Sequence, residues 1–100
     1  MERYTDTISG EELYVDVSTS GKVNSSGKYY YKDRGMTIRH RLDGPAYEYT
    51  DGHEAWWVNG KRHRLNGPAV TTADGHKSWW VDGVFIMRTN PDGKIVDRME

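Results

Sequence analysis

The stretch WWVNGKRHRLNGPA, residues 56–69, decides the fold because most of it is written twice. The phrase RHRLDGPA begins at Arg39, and RHRLNGPA begins at Arg62. Residues 39–61 laid over residues 62–84 give an offset of 23 and identity at 14 of 23 positions. DGHEAWWVNG, from Asp51, matches DGHKSWWVDG, from Asp74. Agreement of that density in a chain of 100 residues marks an internal repeat, the signature of a stacked array. Fainter copies flank the pair. Gly21 precedes Gly44 by 23 residues, SGKYYYKDRG (from Ser26) resembles the DGHxxWWVxG phrase, and Asn90-Pro91 follows Gly67-Pro68 by 23. About four units result, in one domain spanning residues 1–100. Residues 1–38 form a degenerate N-terminal cap, 39–84 two clear repeats, and 85–100 a C-terminal cap. Atypical end units suit a stacked array because they close its exposed edges.

Each unit reads as a β-hairpin. Asp51-Gly52, Asn59-Gly60, Asp74-Gly75 and Asp82-Gly83 tolerate positive φ at both central positions, so each is expected to form a two-residue type I′ turn. Pro45 and Pro68 follow glycine, lack a ladder donor and should open a strand or lie between hairpins. Nothing keeps a helical period over ten residues, and Ser18 to Lys28 reads as a polar, glycine-punctuated loop. The expected fold is therefore all-β: an antiparallel meander of about four 23-residue hairpin repeats forming a single twisted sheet.

Two-residue turns fix the cross-strand partners. Tyr49 should face Glu54, Tyr47 should face Trp56, Trp57 should face Arg62, and Trp56 should face His63. One face then collects an apolar core of Tyr47, Trp56, Val58, His63, Val70, Trp79 and Val81, with Tyr49 and Leu65 beside it. The other carries Trp57, Trp80 and Phe85 among Arg62 and Arg64, with Ala46, Glu48 and Ala69. Tryptophan on the more polar face of a sheet needs a cover or a partner, and Trp57 beside Arg62 suits a cation–π pair. Arg39 and Arg41 join the run KRHR (Lys61 to Arg64) as the basic concentration of the chain. Arginine in place of lysine suits planar contact with carboxylate or phosphate. Trp57, Trp80, Phe85, Arg39, Arg41, Arg62 and Arg64 are accordingly the candidate partner-binding residues.

Composition narrows the chemistry. The chain has no cysteine, which excludes disulfides and thiolate metal sites and fits a reducing cytoplasm. A net charge of −1 argues against capture of nucleic acid by bulk charge. No run is long and apolar enough for a membrane span or a cleaved leader, so a soluble cytoplasmic protein without a membrane partner is expected. The four histidines fall at repeat positions, His40 with His63 and His53 with His76. Equivalent residues two strands apart stand roughly 9–10 Å from each other, too far to share one ion, so no metal and no cofactor is expected. Most acidic residues sit in turns for backbone reasons, and neither a GxSxG nor a Walker element occurs, so no enzyme is expected.

The period, with its aromatic-x-x-[Asn/Asp]-Gly phrase, resembles the MORN repeat family. The closer resemblance is to the variant W-x-x-[ND]-G-x-x-H-R-x-x-G-P-A, found in small proteins of tailed bacteriophages and some bacteria. It covers residues 39–83. It implies a single-layer antiparallel sheet of hairpins, non-enzymatic, used for binding proteins or membrane lipids. The expected function is a phage-encoded binding protein that engages and inhibits a host macromolecule, a host enzyme or an anti-phage defence component. A host protein is the expected partner, and one apolar face of a single sheet also suits a homodimer. Two other readings stay open: sequestration of a nucleotide or short single-stranded nucleic acid on the tryptophans, and a structural or assembly role.

Overall fold

Eleven strands and no helix make up the computed structural model, which describes residues 2–19 and 26–99. They are β1 (Glu2–Thr5), β2 (Glu12–Thr19), β3 (Ser26–Tyr31), β4 (Tyr47–Tyr49), β5 (Glu54–Ala55), β6 (Trp57–Val58), β7 (Lys61–Arg62), β8 (Val70–Thr71), β9 (Lys77–Val81), β10 (Val84–Thr89) and β11 (Ile95–Arg98). Nine of them form one open sheet in the order β1-β2-β3-β4-β5-β8-β9-β10-β11, and every pairing is antiparallel. The all-β meander is therefore the architecture. It departs from a single sheet at one place: β6 and β7 pair only with each other, as a separate two-stranded ribbon. The polar loop expected from Ser18 to Lys28 is shorter: Ser18 and Thr19 belong to β2 and Ser26 to Lys28 to β3, paired with each other, and residues 20–25, with Gly21, lie outside the described residues.

The repeat is written into the hydrogen bonds. Gly60 N–H donates to Arg39 O at 2.9 Å, and Gly83 N–H to Arg62 O at 2.8 Å. Arg41 N–H donates to Trp57 O, and Arg64 N–H to Trp80 O, both at 3.0 Å. Asn59 N–H donates to Nδ1 of His40, and Asp82 N–H to Nδ1 of His63, again both at 3.0 Å. Each bond has its counterpart 23 residues along at both ends. These contacts seat the Asn59-Gly60 and Asp82-Gly83 turns against the preceding unit.

The turns divide into two kinds, and this corrects the expected register. Asn59 and Asp82 have φ of 52° and 50°, and the glycines after them 81°, as a type I′ turn requires. At Asp51 and Asp74 the aspartate keeps negative φ, and only Gly52 (105°) and Gly75 (94°) are left-handed. There Tyr49 N–H donates to His53 O and Thr72 N–H to His76 O, both at 2.9 Å, so the loops have three residues. The cause is local. Oδ1 of Asp51 accepts from the amide of His53 at 3.0 Å, and Oδ1 of Asp74 from that of His76 at 3.2 Å. Tyr47 therefore opposes Ala55, not Trp56, and Glu48 opposes Glu54. A slip of one residue sends side chains to the other face. Tyr47, Tyr49 and Val70 consequently belong with Trp57, and Glu48 lies on the reverse side, accepting from the Tyr30 hydroxyl at 3.2 Å. The C-terminal alignment shifts too: Asn90-Pro91 lies in a three-residue loop closed by Asn90 N–H to Lys94 O, not in a Gly-Pro loop.

The core is correspondingly not the one expected. Tyr47, Trp56, Val58, His63, Val70, Trp79 and Val81 are all half-buried, and Leu65 is 80% exposed. Among the described residues the buried hydrophobic ones are Leu13, Val15, Tyr30, Ala46 and Ala69, and Asp6, His40 and Thr89 are buried polar ones. The first four make one cluster, with Tyr4 and Trp57 packed against it. Ala46 and Ala69, the last residues of the two Gly-Pro-Ala phrases, are 0% exposed: their small size lets the sheet close on the loops.

Candidate functional site: a ladder of rings and guanidinium groups

Backbone pairing sets corresponding residues of the three units side by side. Tyr31 opposes Arg39 in an isolated bridge, Trp57 opposes Arg62, and Trp80 opposes Phe85. The side chains interleave across the units. The Arg39 guanidinium carbon lies 5.5 Å from the Tyr29 ring centre and 5.2 Å from that of Trp57. Arg62 lies 5.3 Å from the Trp57 ring and 4.9 Å from Trp80. Trp80 then meets Phe85 edge to face at 5.4 Å. The run Tyr29–Arg39–Trp57–Arg62–Trp80–Phe85 thus alternates ring and cation until phenylalanine replaces the third arginine. Each ring–cation contact is worth roughly 0.5–1 kcal/mol where exposed.

Five of the seven candidate binding residues, Arg39, Trp57, Arg62, Trp80 and Phe85, are brought together here. Arg41 and Arg64 are not. Arg41 folds beneath its own loop, with Nε donating to Asp43 at 2.7 Å and Nη1 to Pro45 O at 3.2 Å. Arg64 repeats this with Asn66 and Pro68 O, both at 3.2 Å. Their rings are Tyr30 at 4.3 Å and Trp56 at 4.0 Å, neighbours in sequence of the ladder's own strand partners. In the motif R-L-[DN]-G-P-A this arginine is therefore the brace of the loop.

The sequence reading missed the tyrosines. Tyr29, Tyr47 and Tyr49 cluster beside Arg39, with Tyr29–Tyr47 ring centres 4.7 Å apart and Tyr47–Tyr49 5.1 Å apart. The signal was present in the YYY of residues 29–31, once aligned to Trp57 with three extra residues in the first loop. Burial first, then the Tyr49 hydroxyl, pushes Tyr29 far above the ordinary phenol range, and burial with the neighbouring Tyr49 raises Tyr47. Both stay protonated donors at neutral pH. A groove of about 200 Å³ opens here, walled by Tyr29, Arg39, Tyr47, Trp57 and Arg62, with Glu54 also on its wall.

Charge completes the picture. Among the described residues no carboxylate lies within 4.0 Å of Arg39 or Arg62. Nε of Arg62 is buried and has no hydrogen-bond partner. The ladder is thus a set of fixed, partly desolvated cations held apart by rings. No three His, Cys, Asp or Glu side chains converge into a metal-ligand set among the described residues.

No family model, curated protein or solved structure matches the chain. Among the described residues no helix is long and apolar enough to cross a membrane.

Proposed function

We propose that this chain is a non-catalytic binding protein of MORN-like hairpin repeats whose ladder face grips an acidic segment of another protein. The observation that carries the reading is Arg62. It sits over two tryptophans, without a carboxylate partner and with Nε buried and unpaired. A buried donor left unmade costs about 1–3 kcal/mol, and an incoming carboxylate would recover it. Aromatic side chains and arginine in one desolvated patch are what interface hot spots are made of. In the fuller form of the proposal the protein is phage-encoded and acts in the bacterial cytoplasm, inhibiting a host enzyme or an anti-phage defence component.

A protein partner is favoured over a nucleotide or single-stranded nucleic acid. A base must lie flat on a ring to stack. Trp57 already carries Arg39 and Arg62, and Trp80 carries Arg62 and Phe85. A base could stack only by displacing one of them. The test is affinity capture from bacterial lysate with the native chain and with Arg39→Ala/Arg62→Ala. A partner retained by the native chain and lost by the double variant, with both folded, supports the reading. A captured set that is the same for both refutes it.

A further inference from the structure

The two R-L-[DN]-G-P-A loops are built alike, but only the first is covered. The cover is the turn after β1. Asp6 accepts through Oδ2 from the amides of Leu42 at 2.6 Å and Asp43 at 3.3 Å. Its Oδ1 accepts from the amides of Ile8 at 2.9 Å and Ser9 at 3.2 Å, which shapes the turn. Thr7 donates to Asp43 from its amide at 2.9 Å and its hydroxyl at 2.8 Å, and the Tyr4 hydroxyl also donates to Asp43. The Tyr4 ring closes the site, 4.6 Å from the guanidinium carbon of Arg41. Tyr-x-Asp-Thr is thus a plug for this loop.

The second loop repeats the socket with one change: Asn66 stands where Asp43 receives Tyr4 and Thr7, so an amide NH2 replaces the accepting oxygen. Arg64 braces it as Arg41 braces the first, and Trp56 lies under Arg64 where Tyr30 lies under Arg41. Among the described residues nothing accepts from the amides of Leu65 and Asn66, the counterparts of Leu42 and Asp43. Leu65 is 80% exposed, and no second ring lies on Arg64. A groove of about 300 Å³ opens beside it, lined by Trp56, Val58, His63, Arg64 and Leu65. Nε1 of Trp56 is buried there without a partner.

We propose that the loop from Arg64 to Pro68 is a docking site for a turn of a partner protein that presents an aspartate followed by a hydroxyl residue, with an aromatic ring two positions earlier. The carboxylate would accept from the Leu65 and Asn66 amides, the hydroxyl would accept from Nδ2 of Asn66, whose Oδ1 already accepts from Arg64, and the ring would cover Arg64. The chain's own Asp6 is held by the first loop, so the occupant comes from another protein. This site is separate from the ladder and does not depend on it.

The probe is the hairpin of residues 4–13, YTDTISGEEL, closed head to tail so that its turn is formed. It is titrated into the full-length ¹⁵N-labelled protein. The expected result is saturable shifts of the Leu65 and Asn66 amides, with affinity weakened at least tenfold when the peptide's aspartate is alanine. Arg62→Ala, in the ladder, should leave the titration unchanged, which separates this proposal from the preceding one. No shift at Leu65 and Asn66 at roughly millimolar peptide, shifts confined to Leu42 and Asp43, or equal binding by the alanine peptide would each overturn it.

Discussion

Arg64 and Gly67 approach so closely that a β-carbon at 67 would stand 2.9 Å from the guanidinium carbon. Arg41 and Gly44 repeat the relationship at 2.7 Å. Neither glycine has positive φ, so what these positions require is room. Gly44→Ala should destabilise the protein by about 1–3 kcal/mol, the range for overpacking. Gly67→Ala should cost less, because its loop is uncovered and its β-carbon would stand farther off, at 2.9 Å against 2.7 Å. Urea denaturation of both checks the order. In a double-mutant cycle, adding Arg41→Ala to Gly44→Ala should give less than the sum of the single losses.

The first loop also contributes to the acid stability. Burial pushes the Asp43 carboxyl up, but donors from Tyr4, the Thr7 amide, Arg41 and the Thr7 hydroxyl outweigh it and hold it well below the usual carboxylate range. Asp6 is likewise raised by burial and then lowered further by the amides of Leu42, Ile8 and Ser9. A depressed folded-state value means stability that is fully present above the unfolded value of about 4 and is lost as pH falls through the folded one. The protein should therefore hold its stability down to about pH 4 and lose it steadily below. Asp43→Asn should be less stable at pH 7 and should show a shallower acid limb. Thermal denaturation of both proteins across that range measures it; parallel curves would remove Asp43 from the account.

The repeat period, the hairpins and the type I′ turns at Asn59 and Asp82 were legible because each rests on a local preference. Asn-Gly and Asp-Gly put two residues into positive φ, and nothing distant has to agree. The same dipeptide at Asp51 and Asp74 misled because a histidine two residues on donates its amide to the aspartate. Asp-Gly-His therefore makes the longer loop, and that one residue moved Tyr47 and Tyr49 to the other face. Arg62 was legible as a ladder residue from its place opposite Trp57. Arg64, two residues on, was not distinguishable from it by charge alone, since its role depends on the loop it closes. Leu13, Val15 and Asp6 lie outside the clear repeats, so no pattern pointed to the core or to the cover of the first loop.

His40 and His63 make a matched pair for a third test. Each accepts through Nδ1 from the amide of the next unit's turn, Asn59 and Asp82 respectively. His40 is 3% exposed and also meets Glu11 through Nε2 at 3.1 Å, while His63 is half-buried. His40→Phe fills the space but leaves the part-buried Asn59 amide without its partner, at an expected cost of about 1–3 kcal/mol. His63→Phe should cost less, since water can reach the Asp82 amide. Hydrogen exchange offers the sharper reading: the Asn59 amide should lose protection in His40→Phe, and the Asp82 amide in His63→Phe. Unchanged exchange at both amides would mean that the rings do not hold these turns.

Arg62 and Arg64 allow stability and binding to be separated within three residues. Arg62 has two ring contacts and an unpaired Nε, so Arg62→Ala removes about 1–2 kcal/mol of cation–π attraction and relieves a buried, unpaired donor. Its net effect on folding should be under about 1 kcal/mol. Arg64 holds Asn66, Pro68 O and the Trp56 face, so Arg64→Ala should cost more, about 1–3 kcal/mol, by freeing the loop. Binding to an acidic protein partner should follow the opposite order, with Arg62→Ala the damaging change and Arg62→Lys only partly restoring it, because an ammonium lacks the planar face that lies on two rings. Denaturation midpoints set beside calorimetric titration of the captured partner decide the matter. If Arg62→Ala proves the more destabilising and leaves the partner bound, the ladder is a packing device and its place as the binding face is lost.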